Sequence, residues 1–115
     1  MMVGLGPFVR QGIEDRLGPD VPAGVEIALL FYLGKLSSGR GAPRYPAFLQ
    51  SSGFEAPDAE VELNVGAEVE ELIWGEAERQ HITVDRLAAH SVFIYLAELD
   101  RLEEEAAARR PAAAN

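Results

Sequence analysis

The 115-residue chain contains no cysteine, which excludes disulfides, thiolate metal sites and cysteine nucleophiles. Histidine is nearly as scarce. His81 and His90 are the only two, and neither has a second histidine at i+4, so no metal is expected. Basic residues are few: ten Lys and Arg against 19 Asp and Glu leave a formal charge of −9. That balance opposes broad attraction to nucleic acid or to an anionic membrane. No apolar run approaches the roughly 20 residues of a membrane span. The opening MMVGLGPFVRQG lacks the basic region and long apolar core of a signal peptide. A soluble cytoplasmic protein is therefore expected. The chain also lacks a phosphate loop, a G-x-S-x-G and an H-E-x-x-H motif. Its carboxylates are not spaced with a nucleophile or base, so neither enzymatic activity nor a cofactor is expected. The run Glu103-Glu104-Glu105 reads as a solvated helix end.

What is present is a chain that is 48 % apolar, enough for one small domain or two very small units sharing a core. The pattern predicts helices over about Pro7 to Leu17 and Val21 to Ser37. A Gly/Pro/Ser-rich segment, SSGRGAPRYPAFLQSSGFEAPD, follows from Ser37 to Asp58. AEVELNV, residues 59 to 65, alternates as a strand, with Val61, Leu63 and Val65 on one face and Glu60, Glu62 and Asn64 on the other. Helices are then predicted from about Ala67 to Gln80 and from Val84 to about Arg109. In the first of these, Val69, Leu72, Ile73 and Ala77 form one apolar stripe. In the second, Val84, Leu87, Ala88, Val92, Tyr95, Leu99 and Leu102 do the same, and Phe93, Ile94 and Leu96 widen it into a helix buried between neighbours. Thr83 is a good N-cap, and His81 tolerates a left-handed backbone. Pro111 and its alanines read as a frayed tail.

The chain repeats itself. At an offset of 63, LFYLGKL (30–36) overlays FIYLAEL (93–99), with Val21 on Val84, Asp20 on Thr83 and Gly18 on His81. Gly12 and Arg16 then meet Gly75 and Arg79. Dropping three residues from the start of the earlier helix also sets Met1, Val3 and Leu5 opposite Val61, Leu63 and Val65. Leu33 and Leu96, and likewise Tyr32 and Tyr95, are predicted to occupy equivalent buried positions.

Strand, helix, turn and helix in about 45 residues is the plan of the ribbon-helix-helix family, which residues 59–102 resemble over the whole motif. The resemblance rests on the AEVELNV ribbon, the VEELIWGEAE helix, the Thr-capped turn and the long TVDRLAAHSVFIYLAEL helix. It implies a mainly α fold in which two ribbons pair antiparallel over interlocked helix pairs. Residues 1–37 would be a divergent first repeat and 59–109 the second, with 38–58 as linker and 110–115 as tail. The expected product is a tandem-repeat pseudo-dimer. The linker can span roughly 70 Å when extended.

The resemblance also implies a reading face. Carried over by position, the ribbon side chains that would meet bases are Glu60, Glu62 and Asn64, with Met2 and Gly4 from the first repeat. Asn64 can pair with adenine, and a glutamate can accept from cytosine. No Lys or Arg stands on this face, however, and carboxylates oppose a phosphate-rich groove. Phosphate contacts would fall to Arg40 and Arg44 of the linker and to Thr83 at a helix N-terminus. Trp74 lies about 100° off its helix stripe. It either packs on the first repeat or on Tyr45, Phe48 and Leu49 of the linker, or is an exposed partner anchor. The expected function is a non-catalytic regulatory module that binds a protein partner or itself through an acidic ribbon. The alternative is an antitoxin-like repressor or transcriptional regulator that binds operator DNA.

Overall fold

The short strand AEVELNV leaves a row of backbone amides and carbonyls that must find partners, and the N-terminal MMVGL supplies them. The structure, a computed structural model, describes residues 1–38 and 57–109. Strand β1 (Met2–Leu5) pairs antiparallel with β2 (Ala59–Glu62) of the same chain. The register sets Met2 opposite Glu62, Val3 opposite Val61, Gly4 opposite Glu60 and Leu5 opposite Ala59. Regular strand structure ends at Glu62, short of the predicted Val65, although the ladder reaches one residue further. Met1 N donates to Leu63 O at 3.0 Å, and Leu63 N donates to Met1 O at 2.7 Å. Beyond that point Asn64 N turns away to the Glu26 carboxylate, 2.8 Å distant.

Four helices follow the predicted boundaries: α1 (Pro7–Leu17), α2 (Val21–Ser37), α3 (Ala67–Gln80) and α4 (Val84–Arg109). Local chemistry sets their ends. Pro7 opens α1, where its missing N–H leaves no bond unmade. The Asp20 carboxylate accepts from Ala23 N at 3.1 Å, and Thr83 Oγ1 accepts from Arg86 N at 3.1 Å. These are N-caps that satisfy otherwise orphaned amides. Both inter-helix turns use positive φ, Gly18 at 103° and His81 at 58°. His81 donates its amide to Glu78 O, and Ile82 N bonds to Ala77 O, closing the C-terminus of α3.

The architecture is mainly helical, with one short two-stranded ribbon. Beneath the ribbon, α2 and α4 share the most extensive helix contact; α1 lies against both, and so does α3. The core is built from Val3, Leu5, Leu63, Val9, Ile13, Val25, Leu29, Ile73, Leu87 and Val92, all essentially solvent-free. Val61 and Val65 pack on this core while half-buried. Each fully buried aliphatic side chain contributes about 1.5–3 kcal/mol of transfer free energy. A polar seam runs along one side of this core. Gln80 Nε2 donates to the Tyr32 hydroxyl at 2.8 Å and to Glu76, while Arg79 clamps Glu76 at 2.7 and 2.6 Å. His90 sets its ring edgewise on Tyr32, with centroids 5.5 Å apart.

Several buried positions differ from the sequence expectation. Tyr32 is solvent-free, but Tyr95, its sequence counterpart, is half-buried against Phe31 at 5.3 Å. Leu33 and Leu96 are also only half-buried, packed on the edge of the core. Leu72 and Leu102 lie exposed although both fall on apolar stripes. These side chains lie at or beyond the margin of the core cluster, so periodicity alone overstates their burial. The tail 110–115 and the linker positions 39–56, with Tyr45, Phe48 and Leu49, lie outside the described residues.

Candidate functional site

Antiparallel pairing makes successive amides alternate between the partner strand and the free edge. Met1 and Leu63 exchange bonds across the ribbon, so Gly4 N and Asn64 N face outward. Carboxylates from the helices receive both. Gly4 N donates to Asp85 Oδ1 of α4 at 2.7 Å, and Asn64 N donates to Glu26 Oε2 of α2 at 2.8 Å. Each second helix thus occupies one outward amide at a ribbon edge, which blunts that edge against strand addition. Asp58 anchors the entry to β2. Its amide bonds to Leu5 O at 3.1 Å, and its carboxylate takes Arg10 at 2.7 and 2.9 Å.

The outer ribbon face carries Met2, Glu60, Glu62 and Asn64, all exposed, as alternation requires. Gly4 is an exception to the predicted face. It is buried, and a Cβ there would stand 2.8 Å from Pro57 Cβ and 3.1 Å from Asp85 Oδ2. Only glycine allows this approach, so Gly4 serves packing and is not available to meet a ligand. Thr83 is exposed, but its hydroxyl is engaged in capping α4. The first turn of that helix also carries Asp85, which repels phosphate from the amide end. Arg40 and Arg44 lie outside the described residues. His81 serves the turn, and His90 is buried on Tyr32.

Trp74 is 56 % exposed, so it does not pack into the core. With Met2, itself 52 % exposed, it borders an open groove of about 510 Å³. The floor is completed by Ala77, Ile82 and Val84, while Glu78 and Asp85 supply carboxylates. Periodicity marked Trp74 as unusual. Nothing local marked Met2, Glu78 and Asp85 as its neighbours, because the strand reaches the α3–α4 turn only through tertiary packing.

Four of the described arginines, Arg10 among them, are engaged elsewhere. Arg16 of α1 pairs with Asp100 and, at 2.7 Å, with Glu103 of α4. The hydrogen bond it donates to Asp100 is the main reason its guanidinium pKa rises still further. Arg79 is raised likewise by its bonds to Glu76. Arg101 holds Glu98 and Glu105 on one side of α4. Its hydrogen bond to Glu98 raises the guanidinium pKa and lowers that of the carboxyl. Among the described residues, no salt bridge from Lys or Arg reaches Glu60, Glu62, Glu78 or Asp85. No single helix among the described residues is long and apolar enough to cross a membrane. Comparisons with protein-family models, with curated proteins and with solved structures find no match to this chain.

Proposed function

We propose that the chain is a single-chain pseudo-dimer of ribbon-helix-helix type, acting as a non-catalytic protein-interaction module through its acidic ribbon side. The order strand, helix, helix occurs twice, and the two strands are each other's partners. Reciprocal edge capping supports the repeat reading. The three-residue shift that aligns the strands carries Gly4 onto Asn64, and each amide is received by a second helix of the opposite unit. Matching caps at Asp20 and Thr83, and matching positive-φ turns at Gly18 and His81, support it further.

One observation carries the functional choice. The exposed ribbon positions are Met2, Glu60, Glu62 and Asn64, with no Lys or Arg among residues 1–5 or 59–65; against these carboxylates stands the Met1 ammonium, 3.8 Å from Glu62 Oε1. Duplex DNA is bound largely by neutralising phosphates, and this surface adds negative charge where they would approach. The same surface continues into the apolar groove at Trp74, a combination suited to a protein.

The test is a binding titration with random and with selected duplex DNA across a salt series. The wild-type chain is expected to show no ribbon-mediated binding to random duplex at physiological salt. Glu60→Lys with Glu62→Lys is expected to create or strengthen salt-sensitive DNA binding while weakening a protein partner that uses this side. Tight wild-type binding to one duplex, lost in Glu60→Ala or Glu62→Ala, would make the carboxylates base readers. The operator-binding alternative would then replace this proposal.

A further inference from the structure

The groove beside the ribbon combines features that together select a ligand chemistry. Its apolar part is formed by Met2 of β1, Trp74 and Ala77 of α3, Ile82 of the turn and Val84 of α4. Trp74 and Met2 remain more than half exposed. Contiguous exposed apolar surface with a polar rim marks an interaction site more often than chance exposure does. Glu78 and Asp85 line the same groove, while Glu62, across the ribbon from Met2, faces the Met1 ammonium at 3.8 Å. Of the six described arginines, Arg10, Arg16, Arg79 and Arg101 are paired with carboxylates other than these.

We infer that this groove docks a basic linear segment of a partner protein: an apolar side chain seated against Trp74 and Met2, flanked by Lys or Arg facing Glu78 and Asp85. The inference rests on the protein-binding reading above and adds the chemistry of the partner. Charge complementarity decides among occupants. Phosphate-rich nucleic acid and anionic lipid meet repulsion at the rim. A second copy of the chain brings its own net charge of −9 and opposes its own rim with the same carboxylates. A basic segment gains attraction to the rim, and its cation can also lie over the indole face. Asp85 keeps one oxygen on Gly4 N, which occupies an outward amide of β1 and disfavours entry of the ligand as a third strand.

The experiment is selection from a displayed library of random linear peptides on the intact chain, followed by titration of enriched peptides carrying a fluorescent label. The chain has a single tryptophan, so emission from Trp74 reports groove occupancy directly. Enriched peptides are expected to share a net positive charge and one apolar anchor, and to shift Trp74 emission to the blue. Trp74→Ala should weaken them about tenfold or more, as removal of an interface anchor does. Glu78→Lys should weaken them several-fold and flatten their salt dependence. Both positions are exposed, and a far-ultraviolet circular dichroism spectrum shows whether the fold is kept.

Enrichment of acidic or neutral peptides would overturn the inference, as would basic peptides that bind Trp74→Ala as well as the parent, or no enrichment at all. Concentration-dependent dimerisation abolished by Trp74→Ala would overturn it in favour of a second copy as occupant. These outcomes leave the acidic ribbon as a protein-facing surface. That broader reading falls only to specific duplex binding lost in Glu60→Ala or Glu62→Ala, so the two failures are separable.

Discussion

Gly24 lies one turn into α2, where the helix crosses α1. Its amide already bonds to Asp20 O at 3.1 Å, so its backbone is helical. On propensity alone, alanine would stabilise this position by about 1 kcal/mol. The packing argues the other way. A Cβ built on Gly24 falls 2.5 Å from Ile13 Cγ2 and 3.4 Å from Leu17 Cδ1. Ile13 is solvent-free and β-branched, so its Cγ2 cannot swing aside without leaving its preferred rotamer. Overpacking of this kind costs about 1–3 kcal/mol. The net expectation for Gly24→Ala is a loss of up to about 2 kcal/mol once the propensity gain is subtracted. Gly75, in the middle of α3, provides the internal control, since an added Cβ there meets nothing within 4 Å. Gly75→Ala should therefore raise stability by about 0.5–1 kcal/mol. Equilibrium urea unfolding measures both, with each kcal/mol moving the midpoint by roughly 0.3–1 M at the slopes usual for small proteins. The midpoints should shift in opposite directions at unchanged slope. In a double-mutant cycle, Ile13→Ala should cost less in the Gly24→Ala background, where the new methyl fills part of the space. If Gly24→Ala stabilises as Gly75→Ala does, α1 and α2 are not in contact at this crossing.

Two further outcomes follow from the ribbon and from α4. Leu63→Pro removes the amide that bonds to Met1 O and a core side chain that is 1 % exposed; it should cost about 3 kcal/mol or more, and an unchanged urea midpoint would show that the pairing contributes nothing. Glu98 has its pKa lowered chiefly by the hydrogen bond from Arg101, with the charges of Arg101 and Lys35 adding to it against desolvation. A depressed carboxyl stabilises the fold fully above its unfolded value and loses that contribution as pH falls through the lowered folded value. Glu98→Gln should therefore be slightly less stable than the parent near neutrality, the difference vanishing below the ordinary carboxylate range. The effect should be small and salt-sensitive, because the pair is exposed, and a difference that grows on acidification would reverse the assigned sign.

Much of the local structure was legible in the chain. Pro7, Asp20 and Thr83 start helices because each suits one terminal position, by a locked φ or by a short acceptor within reach of an amide. Gly18 and His81 end them because positive φ is cheap at glycine and tolerable at histidine. The alternation of Val61 and Leu63 against Glu60 and Glu62 fixed which side of the ribbon faces water. Those are contests among neighbours in sequence, so the sequence by itself could decide them. Degrees of burial were less accessible. Leu72 and Leu96 read as core from periodicity, yet one is exposed and the other lies at the core's edge.

The candidate site divides along the same line. Glu60, Glu62 and Asn64 could be assigned to the outer face, and Trp74 to the odd side of its helix, from spacing alone. Gly4 could not be removed from that face by spacing, because the atoms that cover it belong to Pro57 and Asp85. The edge bonds from Gly4 to Asp85 and from Asn64 to Glu26 join residues 81 and 38 positions apart. The groove likewise exists only where β1 meets the α3–α4 turn. Local pattern records which face a residue occupies, because dihedral preference and solvent contrast act within a turn or two. Which surfaces then meet depends on shape matching among whole elements, and that is settled only when the six described elements pack together.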